Sequence, residues 1–428
     1  MKSKIFDSAK KVHFIGIGGI GISAIAKMFL LEGKKVSGSD MSDSKIVEEL
    51  KKAGAEINIG HSAKNLPKDL DLVVYTIAIT DENSELKEAK KRNIKCITYP
   101  QALNEISKEK YTIAVSGTHG KTTTTAMIAK IMIDAGLDPT VIVGSLLKDT
   151  KSNFVAGKSK YLVVEACEYR KSFLNIEPDI AVITNIDNDH LDFYKDIADI
   201  QNAFGEFADK VTEKGYIVCD EKDKLVTDVI KNIKAKIVFS NQFKSDLKLK
   251  IPGEHNKRNA EKALAVAHLL EIDKKKAIKS LEEFSGTWRR FEFKGETNCG
   301  ALVYDDYGHH PTEIKATLKG AKEFFDGKKI IAVFQPHLFS RTKLLLNDFA
   351  QAFKDADEII FAPIYPAREP FDATISSDIL ASKIKNTKAI SLKDFEEINK
   401  YIVENLKKGD VLITIGAGDV YKIGENML

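Results

Sequence analysis

Residues 111–125 read Tyr-Thr-Ile-Ala-Val-Ser-Gly-Thr-His-Gly-Lys-Thr-Thr-Thr-Thr, and this stretch decides the fold. Its first five residues form an apolar, largely β-branched run that is typical of a buried strand. Gly117 and Gly120 then let the backbone turn so that several N–H groups point at one anion, and the helix beyond them adds its positive end. Lys121 is placed to reach terminal phosphates, and the Thr122 hydroxyl is placed for Mg²⁺. The stretch therefore predicts a phosphate-binding loop between a strand and a helix.

The match to the strict phosphate-loop pattern is incomplete, because Val115 occupies the position of its first glycine. A glycine-rich turn before an ordinary helix is therefore the alternative interpretation of this stretch taken alone.

Length and composition limit the classes of protein to which the chain can belong. Its 428 residues suffice for about two to four domains with substantial cores. The formal net charge of +3 comes from well-mixed charges, so nothing in the composition indicates a nucleic-acid or membrane partner. The four cysteines are far apart and include no C-x-x-C pair, which argues against zinc and disulfide frameworks and fits a reducing cytosol.

One stretch superficially resembles an export signal. Residues 14–31 are largely apolar and follow a lysine-rich start, but they contain four glycines and Lys27 and lack a small-residue cleavage site. The same interruptions argue against a membrane span. We therefore expect a cytoplasmic protein, as a monomer or a weak homodimer.

The N-terminal part of the chain predicts a β-turn-α-β unit. A strand pattern over residues 12–17 runs into glycines over 16–21, and a helix over 23–31 leads to a second strand over 35–39. Asp40 follows the glycines by about twenty positions, as in turns that bind a nucleotide diphosphate. Two interpretations of Asp40 fit this pattern: a ligand of a ribose hydroxyl, or a cap of the neighbouring helix or turn.

Polar residues follow several later strand patterns. A strand over 161–164 delivers Glu165 at its carboxyl end, the edge of an open parallel sheet where ligands sit. A strand over 180–184 is followed by Asn-Ile-Asp-Asn-Asp-His, which is either a capped loop or a cation site. His190, the last of these, is either a hydrogen-bonded loop histidine or a ligand, and the oxygen preference of Mg²⁺ counts against it.

Two further positions have alternative interpretations. Asn256 precedes a helix pattern over 259–270, where it would either read an adenine edge or cap the helix. Arg289 and Arg290 would either compensate phosphate charge or lie one inward and one outward on a strand.

The alternation of strands and helices predicts an α/β protein of three domains, each a mostly parallel sheet flanked by helices. We expect a Rossmann-like domain over residues 1–109, a central ATP-binding domain of phosphate-loop type over 110–286 and a Rossmann-like domain over 287–428. In the last domain, polar or glycine-rich loops follow strand patterns over 302–304, 329–334, 358–362 and 411–415.

An ordered set of motifs covers nearly the whole chain. The motifs are G-I-G-G-I-G from Gly16, S-G-S-D ending at Asp40, G-T-H-G-K-T-T from Gly117, T-N-I-D-N-D-H from Thr184, G-E-H-N from Gly253, G-T-W-R-R-F from Gly286, D-D-Y-G-H-H-P from Asp305 and Q-P-H-L-F-S-R-T from Gln335. In this order, the set resembles the Mur ligase family. One departure is Glu-Ala-Cys-Glu-Tyr over 165–169, where many members carry a more acidic run, although Glu165 and Glu168 are retained.

The resemblance implies ATP-dependent amide synthesis in which L-alanine is joined to UDP-N-acetylmuramate, with Mg²⁺ as the metal cofactor. A carboxylate is a poor electrophile, so the lactyl carboxylate of the sugar would first attack the γ-phosphate to form an acyl phosphate. The alanine amine would then attack that carbonyl. The protein would supply mainly positioning and charge compensation, the latter through Lys121 and Mg²⁺.

By the same resemblance, each ligand has an expected set of residues. The expected ATP-binding residues are Gly117, Thr118, His119, Gly120, Lys121, Thr122, Thr123, Asn256, Arg289, Arg290 and Asp306. The expected UDP-sugar-binding residues are Gly18, Gly19, Ile20, Gly21, Asp40, His61, Thr76 and His119. The expected L-alanine-binding residues are Tyr307, His309, His337, Arg341 and Arg368. The expected Mg²⁺ ligands are Thr122, Glu165 and His190, and the expected catalytic residues are Lys121, His190, His309 and Arg341.

Three other functions fit parts of the sequence. A recycling ligase that attaches a ready-made peptide to the same sugar nucleotide would share most of the motifs. A nicotinamide-dependent oxidoreductase would explain residues 16–40 but leaves the Lys121 loop without purpose. A nucleotide-binding regulator would use the phosphate loop without catalysis.

Overall fold

The computed structural model describes residues 4–191, 193–367, 369–385 and 387–428. The chain divides into two compact units. The first comprises Met1–Asp187, Ile197–Ser245 and Glu261–Ser280, and the second comprises Asn188–Asp196, Asp246–Ala260 and Leu281–Leu428.

The first unit begins with a five-stranded sheet. Its strands are β1 (Lys11–Ile15), β2 (Lys35–Asp40), β3 (Glu56–Ile59), β4 (Leu72–Tyr75) and β5 (Lys95–Thr98). All pairs are parallel, in the order β3-β2-β1-β4-β5. The accompanying helices are α1 (Lys4–Ser8), α2 (Ile20–Leu31), α3 (Lys45–Lys52), α4 (Ser84–Lys91) and α5 (Tyr99–Ser107), with a 3₁₀ turn at Ala63–Asn65. Phe14 and Ile15 on β1 are fully buried, as expected of a central strand covered on both faces.

A seven-stranded sheet completes the first unit. Its strands are β6 (Tyr111–Ser116), β7 (Thr140–Leu147), β8 (Ser152–Val155), β9 (Tyr161–Glu165), β10 (Ile180–Ile183), β11 (Tyr216–Cys219) and β12 (Lys236–Phe239). Their order is β12-β11-β10-β6-β9-β7-β8, and β7 and β8 pair antiparallel while the other pairs are parallel. The helices that follow in this part of the chain are α6 (Lys121–Asp134), α7 (Ile197–Ala208), α8 (Lys224–Ile230), α9 (Glu254–Leu269) and α10 (Lys274–Glu283).

The second unit is built on a six-stranded sheet. Its strands are β13 (Glu292–Glu296), β14 (Leu302–Asp306), β15 (Ile330–Phe334), β16 (Glu358–Phe361), β17 (Lys388–Ser391) and β18 (Val411–Ile415). Their order is β13-β14-β18-β15-β16-β17, with β13 antiparallel to β14 and the other pairs parallel. The helices are α11 (Pro311–Phe324), α12 (Phe339–Leu344), α13 (Leu346–Ala350), α14 (Ser377–Lys383), α15 (Phe395–Asn405) and α16 (Tyr421–Glu425). Alternate residues of β15 belong to two different core clusters, Phe334 to one and Val333 to the other, so apolar layers cover both faces.

The strand orders explain which loops become neighbours. β10, β6 and β9 are adjacent and parallel, so the loops after their carboxyl ends share one sheet edge. In the second unit, the loops after the carboxyl ends of four adjacent parallel strands also share one sheet edge; these strands are β14, β18, β15 and β16. The predicted α/β architecture with mostly parallel sheets is confirmed. Among the described helices, none has both the length and the apolar character needed to cross a membrane.

Candidate active site

The predicted phosphate-binding loop forms between β6 and α6, with Gly117 and Gly120 at φ values of 131° and 82°. Lys121, the first residue of α6, turns its Nζ back over the loop and donates to the carbonyl oxygens of Gly117 (2.6 Å) and Thr118 (3.0 Å). Nζ also pairs with the Glu168 carboxylate at 2.9 Å, and both side chains are largely buried. Burial alone would lower the pKa of Lys121, but the negative charge of Glu168 raises it above the ordinary value. The lysine is therefore held as a cation within the loop.

The Glu165 carboxylate lies beside the first turn of α6. The Thr122 hydroxyl is 3.0 Å from both of its oxygens, and the Gly144 N–H donates to Oε2 at 2.7 Å. A carboxylate and a hydroxyl are the kind of oxygen ligands that Mg²⁺ prefers. The structure thus brings together two of the three predicted metal ligands, while the third, His190, belongs to the second unit.

The loop after β10 holds the phosphate-binding loop in place. Asn185 Oδ1 accepts from the His119 N–H at 2.9 Å, and Thr118 Oγ1 accepts from the Asp187 N–H at 2.9 Å. The Thr184 hydroxyl donates to the His119 carbonyl at 2.6 Å, and the His119 ring lies 3.1 Å from the Asp187 carboxylate. Sequence reasoning did not assign this supporting role. The sequence feature that could have indicated this role is the polar run directly after β10, the strand that pairs with β6.

The first glycine turn connects β1 to α2. Gly16 has a φ of 78°, and its N–H donates to the Ser39 carbonyl at 2.8 Å. The Gly18 N–H donates to Asp40 Oδ2 at 2.8 Å, and the Ser42 N–H donates to Oδ1 at 3.2 Å. Asp40 therefore caps this turn, which is one of the two interpretations of its position.

Close contacts require glycine at two positions of the same turn. A Cβ on Gly16 would lie 2.5 Å from Thr76 Cγ2, and a Cβ on Gly21 would lie 2.6 Å from the Tyr99 ring. α2 begins directly within this glycine run, at Ile20. Backbone N–H groups at such a helix start suit an anion.

In the second unit, Arg341 on α12 is fixed by a buried ion pair. Its Nη2 donates to Asp189 Oδ1 at 3.0 Å, and only 9% and 8% of the two side chains are exposed. Nη1 lies 3.1 Å from His337 Nδ1. Burial would raise the pKa of Asp189, but the Arg341 guanidinium holds it well below its usual range. Sequence reasoning did not assign Asp189, although it directly precedes the predicted ligand His190.

The same arginine lines a cleft that has aliphatic walls and also polar ones, formed by Asn188, Asp189, His190 and Ser340. Leu191, Leu338, Leu344 and Leu345 line the cleft together with Arg341. A guanidinium binds carboxylates, and aliphatic side chains accommodate a small alkyl group. The cleft therefore suits a small ligand that carries both.

His309 lies in the loop after β14 and is neutral. Its Nδ1 donates to the Tyr307 carbonyl at 3.2 Å, so Nε2 carries the free lone pair. Burial lowers the pKa of His309 to about 4, and the Arg341 charge acts in the same direction although the Glu313 carboxylate opposes it. Glu313 Oε2 also accepts from the His309 N–H at 2.9 Å, which fixes this loop to α11.

The predicted alanine-binding residues in the described part of the chain lie near one another. The His309 and His337 ring centroids are 5.8 Å apart, and the Tyr307 ring is 5.7 Å from that of His309. His337 in turn contacts Arg341. Arg368, the last member of the predicted set, lies outside the described residues.

His190 adopts a left-handed backbone conformation with a φ of 54°. Its N–H donates to Asp189 Oδ1 at 2.7 Å, so the backbone of His190 is tied to the carboxylate that pairs with Arg341. This geometry fits the interpretation of His190 as a hydrogen-bonded loop histidine. A role of its ring as a metal ligand stays a prediction.

Arg289 is a buried structural residue. Nε donates to Asp305 at 2.7 Å, and the two terminal nitrogens donate to the carbonyls of Gly416 (2.6 Å) and Gly418 (3.0 Å). Only 3% of its side chain is exposed. Because each nitrogen is engaged within the fold, this geometry does not support the predicted contact with ATP. The interpretation of two arginines on one strand is also wrong, since Arg289 and Arg290 both precede β13.

Arg290 and Asp306 remain suitable for a nucleotide. Arg290 keeps 26% of its side chain exposed, and its guanidinium lies 5.3 Å from the centre of the Tyr307 ring. The Asp306 carboxylate accepts from the N–H groups of Phe291 and Gly308, both at 2.8 Å, and from the Thr317 hydroxyl at 3.3 Å. A carboxylate has about four acceptor positions, so this one retains capacity for a hydroxyl.

Asn256 lies in the first turn of α9 and does not cap it. Its Nδ2 donates to the Pro252 carbonyl at 2.6 Å, which fixes the amide plane. The cap interpretation is therefore wrong, and adenine recognition stays a prediction. Thr123 is buried within α6, and its predicted contact with ATP stays a prediction.

Comparison with known proteins places the whole chain in one family. Sequence profiles match the Mur ligase family catalytic domain over residues 11–111, the Mur ligase middle domain over 115–246 and the Mur ligase glutamate ligase domain over 289–418. UDP-N-acetylmuramate–L-alanine ligase of Clostridium tetani is 45% identical, and the alignment covers 98% of each chain. The structure of UDP-N-acetylmuramate–alanine ligase from Thermotoga maritima is 29% identical with a TM-score of 0.81, covering 97% of this chain and 98% of its own. A murein peptide ligase from Psychrobacter arcticus is 25% identical with a TM-score of 0.74 and covers 98% of each chain. This chain belongs to the Mur ligase family.

Proposed function

We propose that the chain is an ADP-forming ligase that joins L-alanine to the lactyl carboxylate of UDP-N-acetylmuramate, a step in peptidoglycan precursor synthesis. The observation that carries the proposal is the 45% identity, over 98% of both chains, to an enzyme named for that reaction. The local geometry is consistent with it, because a buried, charged lysine lies within a phosphate-binding loop.

The chemistry requires activation of a carboxylate. One carboxylate oxygen attacks the γ-phosphorus of ATP, the bond to ADP breaks, and an acyl phosphate forms. The unprotonated alanine amine then attacks the carbonyl, an amide forms, phosphate leaves with that oxygen, and the nitrogen loses a proton. Lys121 would compensate the charge on the transferred phosphoryl group, and Glu168 keeps the lysine protonated for this purpose.

Thr122 and Glu165 are the residues that fit a magnesium ion. Their oxygens already lie 3.0 Å apart, and a hydroxyl with a carboxylate matches the ligand preference of Mg²⁺. The ion would supply neutralisation of phosphate charge. His190 remains a proposed ligand on the strength of the family resemblance alone.

The sugar nucleotide and ATP are assigned to separate turns. The turn from Gly16 to Gly21 would hold the UDP diphosphate at the start of α2, because no side chain caps this helix start and the first backbone N–H groups of a helix suit an anion. The loop from Gly117 to Thr122 would hold the ATP phosphates. Arg290 is a better candidate than Arg289 for a phosphate contact, because its side chain is 26% exposed and its ion pair with Glu313 is longer, at 3.6 Å, whereas the Arg289 side chain is 3% exposed and pairs at 2.7 Å.

Alanine is assigned to the loops around Arg341. The guanidinium would bind the amino-acid carboxylate, and the leucine-lined wall of the cleft would contact the methyl group. A general base works best with a pKa near the working pH, so a pKa of about 4 makes His309 a poor one. We therefore assign His309 Nε2 to accept a hydrogen bond from the amine and orient it.

Other functions have weaker support. The murein peptide ligase is a more distant relative by identity than the C. tetani enzyme, which favours free alanine over a peptide as the acceptor. A nicotinamide-dependent oxidoreductase leaves the Lys121 loop and the second unit unexplained. The regulator without catalysis has no counterpart among the relatives described above.

We further propose that residues 1–109 bind the sugar nucleotide, that residues 110–286 bind ATP and that residues 287–428 bind alanine and part of ATP. The substrates are small molecules, and we propose a cytoplasmic location for the reaction. A monomer or weak homodimer remains our expectation.

The test is acceptor choice. The purified chain is incubated with UDP-N-acetylmuramate, ATP and Mg²⁺ and with an equimolar mixture of L-alanine and the tripeptide L-alanyl-γ-D-glutamyl-meso-diaminopimelate, and products are identified by mass spectrometry. The proposal predicts the alanyl product with stoichiometric ADP. A tripeptide product would identify a recycling ligase, and ATP consumption without any amide would reject both.

A further inference from the structure

A buried carboxylate in the first sheet connects to the edge that carries the glycine turn. Glu85, in the first turn of α4, is fully buried. Oε2 accepts from the Ser39 hydroxyl at 2.7 Å, and Oε1 accepts from the Ser62 N–H at 2.9 Å and from Asn65 Nδ2 at 2.7 Å. Burial would raise the pKa of Glu85, but hydrogen bonds from His13, Ser39 and the other donors lower it to about 2. The carboxylate is therefore ionised at neutral pH and can only accept hydrogen bonds.

This carboxylate fixes the tautomer of a histidine through a serine. Ser39 Oγ also lies 2.9 Å from His61 Nδ1. A serine hydroxyl has a single proton, which it donates to Glu85, so its oxygen must accept from His61 and the proton must sit on Nδ1. A second distance agrees, since Nδ1 lies 3.7 Å from Glu85 Oε1. In the neutral ring, Nε2 is then a bare acceptor.

His61 lies on the same sheet edge as the glycine turn. It follows β3, and the preceding Gly60 N–H donates to the Asp40 carbonyl at 2.7 Å. The Asp40 side chain in turn caps Gly18. The His61 side chain keeps 16% of its surface exposed, so the ring is accessible to a ligand.

We propose that Glu85 and Ser39 are positioning residues that hold His61 with its bare Nε2 toward the sugar nucleotide, where Nε2 accepts a hydrogen bond from an N–H or O–H group of the nucleoside. This rests on the proposed function, since it takes the ligand of this edge to be UDP-N-acetylmuramate. A diphosphate offers only acceptors and would repel a bare Nε2. Within the UDP moiety, the imide N–H of uracil and the ribose hydroxyls can donate.

The tautomer is measured directly by NMR. The full chain is labelled with ¹⁵N-histidine and examined by long-range ¹H–¹⁵N correlation at about pH 8, above the range in which histidine ordinarily titrates. His61 is assigned by the signals that disappear in His61→Gln. A protonated Nδ1 and a bare Nε2 are expected. A proton on Nε2 would overturn the proposal.

Two serines on β2 provide a matched pair of variants. Ser37 Oγ lies 2.9 Å from His13 Nδ1, and His13 Nε2 lies 3.0 Å from the same Glu85 oxygen that binds Ser39. Both serines are buried in one network, but only Ser39 leads to His61. We expect Ser39→Ala to weaken UDP binding about three- to tenfold and to raise KM for the sugar nucleotide with little change in kcat. We expect Ser37→Ala to bind UDP within about twofold of the unmodified chain. Equal losses in both variants would reduce the network to a structural role and overturn the proposal.

Nucleotide analogues identify the donor. Calorimetric titration compares UDP with 3-methyluridine diphosphate, which lacks the imide proton, and with 2′,3′-dideoxyuridine diphosphate, which lacks the hydroxyls. One analogue should bind the unmodified chain more weakly than UDP, and Ser39→Ala should remove that difference. If neither analogue binds more weakly, or if the difference persists in Ser39→Ala, the proposal fails. These titrations contain neither ATP nor alanine, so an absence of ligation would count against the proposed function alone.

Discussion

Lys121 and Glu168 form a buried ion pair, and we propose that turnover depends on the charge of this lysine. Replacing Lys121 by Met keeps the aliphatic stem but removes the cation, so we expect kcat to fall roughly 10²–10³-fold, as for other single charge-stabilising donors. Titration with UDP should be unchanged, because the first glycine turn is untouched. ADP release under saturating substrates measures the effect.

A lysine on the same helix provides the control. Lys130 pairs with Asp134 near the surface, with Nζ 2.6 Å from Oδ2. Lys130→Met should leave kcat within about twofold, since exposed pairs contribute little. An active Lys121→Met enzyme would remove Lys121 from the mechanism. Because Glu168 is buried and would lose its partner, Lys121→Met combined with Glu168→Gln separates lost stability from lost charge.

Asp189 pairs with Arg341, and we propose that it affects alanine binding through this arginine. Asp189→Asn keeps the shape but removes the charge that holds the Nη2 donor, so the guanidinium loses its fixed orientation. We expect KM for L-alanine to rise about tenfold, the effect of losing about 1.4 kcal/mol, while KM for the sugar nucleotide is unchanged. Steady-state kinetics with each substrate varied in turn measures this. The more exposed pair of Lys343 with Asp372 supplies the control Asp372→Asn, and a similar alanine effect there would contradict the assignment.

The lowered pKa of His309 predicts how the charge of this ring depends on pH. Burial holds it at about 4, below the ordinary value of about 6.5, so the ring should stay neutral from pH 8 down to about pH 5. An NMR titration should show a midpoint near 4, and KM for alanine should show no step near pH 6.5 caused by this ring. Because folding favours the neutral form, this residue weakens stability as pH falls from about 6.5 toward 4. A midpoint between about 6 and 7 would contradict this.

At the scale of elements, two glycines have different roles: Gly117 is required by the geometry of a turn, whereas Gly205 lies inside a helix and lowers its stability. Gly117 has a φ of 131°, and a Cβ there would meet Thr184 Oγ1 and lie 2.9 Å from the Thr184 N atom. Gly117→Ala should therefore distort the phosphate-binding loop and abolish ATP-dependent turnover. Gly205 lies inside α7 with only Val229 Cγ1 near its missing Cβ, at 3.8 Å. Gly205→Ala should stabilise the chain by about 0.5–1 kcal/mol. Activity assays with thermal melting distinguish the two, and an active Gly117→Ala enzyme would contradict the account.

Elements with a strong apolar pattern could be predicted from the sequence, and the edge strands β3 and β13 could not. β6, β15 and β18 are inner strands with largely apolar sequences, and each was predicted within about two residues. β3 (Glu-Ile-Asn-Ile) and β13 (Glu-Phe-Lys-Gly-Glu) lie at sheet edges, where one side faces solvent and polar residues interrupt the pattern. Their sequences carry too little periodicity to identify a strand.

Some residues of the candidate site could be predicted from the sequence, and others could not. Lys121, Thr122 and Glu165 were predicted because local motifs specify them. Glu85 and Asp189 were missed, because their importance arises from hydrogen bonds to residues distant in sequence, such as Ser39 and Arg341. Arg289 was assigned to phosphate on its charge and on the family resemblance, and only packing reveals that Asp305 neutralises it.

At the scale of the whole molecule, each of the three sheets carries ligand-type residues after the carboxyl ends of its parallel strands. The first has the glycine turn, the second has Lys121 and Glu165, and the third has His309 and Arg341. This repeated placement follows from parallel pairing, which directs successive strand ends to one edge. We propose that these three edges bind the sugar nucleotide, ATP and the amino acid, as the proposed reaction requires.

The central claim is that a carboxylate is activated by transfer of a phosphoryl group from ATP. The most direct measurement uses UDP-N-acetylmuramate labelled with ¹⁸O in the lactyl carboxylate, together with unlabelled ATP, Mg²⁺ and L-alanine. Mass spectrometry or ³¹P NMR then follows the released phosphate. The account predicts one ¹⁸O atom in each phosphate, because the attacking oxygen leaves with it. Amide formation accompanied by unlabelled phosphate would contradict the account.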